Sequence, residues 1–251
     1  MKTKEPLISI VMPTFKTDLQ TIERALNSIK KQSYENWELI IVDDNACKSV
    51  YKENLIQYSK KNNSKKISFV FHDDNKGANA ARNSGILNAS GEYIAFLDSD
   101  DEWDFDFLES VYSELSKNHP DIVSCRYRIK SKDGVFDSPI YLEENGNKYS
   151  TLIYYDCVGP TSAVVVKRQS ILDAGMFDVE LPARQDYDMW IRISKIGGIV
   201  NYIRDVKLTI YRMGEESIST RGLNTINGTE IVDNCKCKLN SCFNQEHLSI
   251  A

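Results

Sequence analysis

The chain has 251 residues, 41% hydrophobic and 27% charged, an ordinary globular composition with room for one large domain or two small ones. Its 31 Lys and Arg against 36 Asp and Glu leave a formal charge of −5, which supplies no general pull toward nucleic acid. No apolar run approaches the roughly 20 residues that cross a bilayer, and the six cysteines fit thiols in a reducing compartment rather than a disulfide framework.

The N-terminal "MKTKEPLISIVM" reads as the approach to a first strand, Leu7 to Met12, and not as a signal peptide, so the cytosol is the expected compartment. After Pro13 a helical pattern places Ile22, Ala25, Leu26 and Ile29 on one face. "WELIIVDD" is a second strand ending in Asp43 and Asp44, Tyr51 to Lys61 a helix, and "ISFVF" a third strand. "GANAARNSGILNASG" is a helix that Gly91 is expected to close, and "YIAFLD" a fourth strand. This βαβαβαβ order predicts an α/β fold with a single, mostly parallel sheet flanked by helices.

The second half is less regular. Phe105 to Asn118 is an amphipathic helix ended near Pro120, and "DIVSC" is a strand. Residues 130–158 are polar and glycine-punctuated, and read as loops or a small lid. "SAVVVK" is a strand, Ser170 to Ala174 a short helix, and "QDYDMWIRIS" a helix with Met189, Trp190 and Ile193 on one face. "GIVNYI" and "VKLTIYR" are two late strands, and from Gly222 a helix and loose tail are expected. The "CKCKLNSC" cluster of Cys235, Cys237 and Cys242 lacks the paired C-x2-C spacing of zinc sites.

In open parallel sheets, ligands bind outside the carboxyl ends of the strands. Three polar groups fall there: Pro13-Thr14, Asp43-Asp44, and the acidic run from Asp98 to Glu102. Asp43-Asp44 is either a helix cap or part of a site. There is no G-x-G-x-x-G after the first strand and no G-x4-G-K-[ST], so any nucleotide phosphates are held by another device. Closely spaced carboxylates repel one another, and Asp98 and Asp100 close an apolar strand, where a solvated helix start explains them poorly. A divalent cation finished by a diphosphate is the alternative, since Mg²⁺ typically takes one or two carboxylates plus substrate phosphates. An EF-hand loop is excluded because Trp103 stands where it needs glycine. Arg82, in "NKGANAARNSG", is either a surface arginine or a clamp on base or phosphate. Asp188 and Arg192 stand at i, i+4 and support their helix. Asp186 lies in that helix's first turn, where the dipole should keep it ionised, and is either a cap or a general base.

Together "SIVMPTFK", "IIVDDNA", "NKGANAARNSGI", "GEYIAFLDSDDEW" and "AGMFDVELPARQDYDMWIRIS" resemble the family-2 glycosyltransferases of the GT-A fold, over residues 7 to about 212. The resemblance implies one Rossmann-like sheet with a small acceptor-side extension. It implies a domain over 1–221, its nucleotide-sugar half at about 1–104 and its acceptor half at about 105–221, with 222–251 a C-terminal helix or tail. It implies an inverting transferase that moves a hexose or N-acetylhexosamine from a UDP-sugar to a lipid-diphosphate-linked saccharide in bacterial surface polysaccharide synthesis, with peripheral contact at the inner face of the membrane. Pro13, Thr14 and Phe15 would flank the base, Asp43 or Asp44 would bind the uracil, and Arg82 would help to hold it. Asp98-Ser99-Asp100 matches the D-x-D motif: Asp100 would hold Mn²⁺ or Mg²⁺, Asp98 the ribose or a metal-bound water, and Asp186 would be the catalytic base. Many members have a further metal-binding histidine after the "YR" of a late strand; here Gly214 or Glu215 stands there, and Glu215 or Glu216 is the substitute oxygen ligand. The rival readings are a sugar-phosphate nucleotidyltransferase, which should carry a glycine-rich loop where this chain has "PTFKTD", and a non-catalytic nucleotide-sugar-binding protein.

Overall fold

Strand β1, Ile8–Thr14, and strand β2, Trp37–Asp43, are buried along nearly their whole length. Such continuous apolar runs suit a sheet covered on both faces. They pair in parallel, Ile8 opposite Trp37 and Thr14 opposite Asp43. The computed structural model describes residues 5–46, 52–53, 56–57, 66–137 and 144–212. Of the helix expected at Tyr51 to Lys61, residues 52–53 and 56–57 are described and are helical. Positions 214–216 and the 222–251 segment with its three cysteines lie outside the described residues.

Helix α1, Leu19–Lys30, buries Ile22, Ala25, Leu26 and Ile29, the predicted stripe, and Asp18 caps it by accepting a bond from the Thr21 amide at 3.0 Å. Strand β3, Ile67–Phe71, extends β2 in parallel. Helix α2, Ala78–Asn88, crosses β1 at Gly85, where an added Cβ would stand 2.3 Å from Val11 Cγ1. The expectation for Gly91 is corrected. Helix α2 ends at Asn88 with extended Ala89 after it, and a Cβ on Gly91 would lie 2.6 Å from the Leu7 carbonyl oxygen. Gly91 therefore serves close approach of strand β4, Tyr93–Phe96, to the chain entering β1, and not a helix cap.

Beyond β4 come the two-residue strand β5, Glu102–Trp103, and helix α3, Phe107–Asn118, closed by left-handed His119 just before Pro120. Strand β6 runs from Ile122 to Ser131 and turns into β7, Gly134–Asp137, a hairpin in a stretch expected to be loop. Helix α4 is the short Tyr149–Leu152 segment, and β8, Val164–Lys167, leads into α5, Arg168–Asp173. Helix α6 is Gln185–Lys195 and strand β9 is Val200–Arg212.

One sheet spans both halves in the order β3-β2-β1-β4-β8-β6-β9-β5, with β7 paired to β6. Its β3-β2-β1-β4 half is parallel as expected; β8 then enters antiparallel to both β4 and β6, which makes the whole sheet mixed. A short β-branched run such as "VVVK" reads alike in either direction, so its sense was open in the sequence. The two late strands are one. Strand β9 follows β6 with register shifts that leave Arg204, Asp205 and Lys207 without partners across the ladder. These bulges break the apolar alternation, and Lys207 reaches Asp106 at 2.6 Å. The core runs unbroken under the sheet through Tyr93, Phe96, Phe107 and Trp190, all fully buried.

Candidate active site

The carboxyl ends of β1, β2 and β4 lie side by side, because Thr14 pairs with Asp43 and the Leu97 amide bonds the Val11 carbonyl at 3.1 Å. Each strand therefore delivers its polar terminus to the same edge. Pro13 and Thr14 finish β1, with Thr14 buried and Phe15 standing 46% exposed at the rim. The Asn45 side chain ties the first turn to the second: its Oδ1 accepts from the Lys16 amide at 2.7 Å and its Nδ2 donates to Asp43 Oδ1 at 2.7 Å.

The two adjacent aspartates differ in their partners. Asp44 uses both oxygens within the protein, accepting from His72 Nδ1 at 2.7 Å, Asn75 Nδ2 at 2.8 Å, and the Lys76 and Gly77 amides at 2.9 and 2.8 Å. It holds the turn that starts α2. His72 is fixed in turn by Ser84 at 2.8 Å, so a buried Asp-His-Ser chain braces the turn.

Arg82 is buried, which excludes the surface-arginine reading, and its guanidinium donates to Asp98 Oδ1 at 2.7 Å. The acidic turn is shaped by its backbone: the Asp98 amide donates to Ser162 Oγ at 3.0 Å, and the Asp101 amide to the Asp98 carbonyl at 3.0 Å. Ser99 faces Thr17, hydroxyl to hydroxyl at 2.8 Å. Arg24, stacked on the Tyr211 ring at 3.7 Å, donates to the Asp100 carbonyl at 2.7 Å. The Asp100 side chain is left open to the cleft. Burial against neighbouring protein, then the charge of Asp98, raises its pKa above the ordinary carboxylate value. Asp101 is buried and pushed much further up by the same two causes in the same order, with Asp100 adding to Asp98.

As a cation site the turn offers one open carboxylate, Asp100, and the second oxygen of Asp98. Among the described residues no group of three His, Cys, Asp or Glu side chains is arranged to hold a metal ion. A donor set of one or two carboxylates fits Mg²⁺ or Mn²⁺ only when substrate phosphates complete the shell.

Asp186 starts α6 across the same cleft. Its carboxyl is pushed up to about 6, by burial first and then by the charge of Asp156, while the Tyr187 amide and Arg82 oppose the shift. At neutral pH it is still ionised, as its place in the first turn of the helix led one to expect, but with a smaller margin than an ordinary aspartate because desolvation and a neighbouring anion disfavour the charge. Asp186 also feels Asp98, so the acidic turn and this carboxylate share one electrostatic environment. Asp188 pairs with Arg192 at 2.7 Å, the helix-supporting role expected of it.

Sequence reasoning missed Asp156, His72, Arg24 and Tyr211. Asp156 accepts the Val158 and Gly159 amides at 3.0 and 2.9 Å, and Trp190 of α6 donates to the Gly159 carbonyl at 2.9 Å. That lock brings the loop to Asp186. Its one available signal was the Asp-x-x-Gly spacing of an Asx turn.

A half-parallel sheet with an acidic turn at the end of its fourth strand, facing the separate carboxylate of Asp186, frames the candidate site. The family model "Glycosyl transferase family 2" matches residues 9–175, and the chain belongs to that family; it is a transferase. Among curated relatives, WfgD of Escherichia coli, a UDP-Glc:alpha-D-GlcNAc-diphosphoundecaprenol beta-1,3-glucosyltransferase, is 29% identical over 85% of this chain and 80% of its own. The amylovoran biosynthesis glycosyltransferase AmsB of Erwinia amylovora is 31% identical over 77% of this chain and 66% of its own. The structure of S. aureus TarS 1-349 in complex with UDP-GlcNAc superposes with a TM-score of 0.70 at 20% identity, covering 85% of this chain and 60% of that one. The fold is GT-A-like, as the sequence resemblance implied.

Proposed function

We propose that the protein is an inverting, metal-dependent glycosyltransferase. It moves a hexose or N-acetylhexosamine from a UDP-sugar to a lipid-diphosphate-linked saccharide during bacterial surface polysaccharide assembly, working in the cytoplasm at the inner face of the membrane. One observation carries this reading: Asp186 feels the charges of both Asp98 and Arg82, so a base candidate and the acidic turn face one cleft. The names of WfgD and AmsB supply the acceptor class and setting. No helix among the described residues is long and apolar enough to cross a membrane, which is compatible with peripheral contact.

In this reading Phe15 and the Pro13-Thr14 turn flank the uracil. Asp43 or Asp44 bonds it, the first already tied through Oδ1 to Asn45 and the second to His72, Asn75, Lys76 and Gly77. Arg82 and Asp98 form a fixed pair beside the ribose, and Ser99 sits between them and Thr17. Asp100, with Asp98 beside it, would hold Mn²⁺ or Mg²⁺, which would offset charge on the departing diphosphate. Asp186 accepts the proton of the acceptor hydroxyl as that oxygen bonds the anomeric carbon and the bond to the diphosphate breaks on the opposite face. With a pKa of about 6, it is ionised at neutral pH yet basic enough to take that proton.

The test is calorimetric titration of UDP and a panel of UDP-sugars with Mn²⁺ or with a chelator, beside a donor-hydrolysis assay. The reading requires one UDP-sugar to bind better with the cation and to turn over. Equal UDP binding in chelator would remove the metal from it.

A further inference from the structure

The β6–β7 hairpin is not used by the site, yet it leaves the sheet next to it. Lys130 pairs with Tyr211 across β6 and β9, and its ammonium lies 5.4 Å from the ring that supports Arg24 and, through it, Asp100. One residue further on the chain passes beyond the sheet and turns back at Gly134, whose φ of 134° suits glycine.

Two features set this tip apart. Alternation along β6 puts Arg126, Arg128 and Lys130 on one face, and Lys132 continues the series past the strand end. The Arg126 and Arg128 ion pairs, with Asp137 at 3.7 Å and Asp104 at 3.6 Å, are long and half-exposed, so these cations remain available to other anions. Antiparallel pairing puts Val135 opposite Lys130, and Phe136 opposite Ile129 on the other face. Val135 and Phe136 are 59% and 54% exposed, and Lys130 and Lys132 are exposed beside them. The end of the hairpin is therefore apolar on both of its faces. From Arg126 to Asp137 four cations outnumber the two exposed acids Asp133 and Asp137, a local excess of two positive charges on a chain of net charge −5 that favours an anionic partner. Apolar tips flanked by Lys and Arg match a lipid surface, where the apolar groups enter the headgroup boundary and the cations meet anionic lipids.

We propose that the tip of the β6–β7 hairpin docks on an anionic phospholipid bilayer, with Val135 and Phe136 inserted and Lys130 and Lys132 against the headgroups. This deepens the proposed function and rests on its lipid-linked acceptor, since a cleft tethered beside Asp100 meets a sugar diphosphate at the membrane surface. The test is sedimentation of the full chain with phosphatidylglycerol–phosphatidylcholine vesicles and with phosphatidylcholine alone, at low and high salt. The protein should pellet with the anionic vesicles, release as salt screens the lysines, and ignore the neutral ones. The Lys132→Glu/Val135→Ser/Phe136→Ser variant, altered only at exposed positions, should bind at least about tenfold more weakly, with its circular dichroism and UDP binding unchanged. Equal pelleting of the variant and the wild type, or no pelleting of the wild type with anionic vesicles, overturns the proposal. UDP binding on the same samples separates the two ideas: its absence counts against the proposed function alone, because vesicle binding is read independently of it.

Discussion

The two sides of the cleft treat their carboxylates differently. On the parallel edge the acids are satisfied: Asp44 accepts from four donors and Asp98 is paired with Arg82 at 2.7 Å. On the side of α6 they are under-compensated. Asp156 receives two backbone amides, Asp186 a single one from its neighbour Tyr187, and both are raised from the ordinary carboxylate value, desolvation being the first cause. Paired acids make a rigid mould for a ligand, whereas a buried acid held near neutrality exchanges a proton. Asp100 and Asp101 complicate the division, since both are raised although they belong to the first side. A carboxylate pressed against like charge is what a cation would relieve.

The largest break in this contrast should come from Asp186→Asn. Turnover should fall by about 10²–10⁴-fold while UDP-sugar affinity is kept, as read by calorimetry beside a transfer assay. The same variant tests the burial argument through stability. The folded carboxyl holds its proton to about pH 6, the unfolded one only to about pH 4. The protonated form therefore contributes stability that is lost as pH rises through that window. Asp186→Asn should exceed the wild type by on the order of 1–3 kcal/mol at pH 7 and gain nothing below about pH 4, measured by denaturant melts.

Asp44→Ala should show the opposite character. Stripping four donors of their acceptor should cost about 2–4 kcal/mol in denaturant melts and loosen the α2 turn; the activity lost should follow the stability lost. Gly85→Ala should cost about 1–3 kcal/mol, because its Cβ would overlap Val11 and push α2 off β1. The smallest effect sharpens the comparison most. Asp156→Asn removes the charge that ranks next after burial in raising Asp186. The acid limb of the pH–rate profile, expected near 6, should then move toward lower pH with UDP binding unchanged. A limb that stays in place would mean that burial alone sets the base.

How much of this was legible beforehand depends on how far each feature reaches along the chain. The apolar stripe of α1, the strand that ends at Asp43 and the Asp188–Arg192 pair are local, and they were read correctly; the fourth strand stops at Phe96, two residues short of Asp98. Gly91 was misread because a cap and a close approach leave the same mark in sequence; only the 2.6 Å gap to Leu7 separates them. The direction of β8 and the fusion of the late strands into β9 depend on what lies alongside, and the bulges at 204–205 and 207 disguised one strand as two.

By itself, the sequence determined the alternation of strands and helices, the strand ends at which polar groups collect, and the identity of the acidic turn, because these follow from residue periodicity over a few turns of chain. The tertiary structure alone decided that Arg82 is spent on Asp98, that Asp44 is consumed by the loop it holds, and that Asp156 stands where it raises Asp186. Those outcomes depend on which distant groups share a low-dielectric space, and no local pattern along the chain records that.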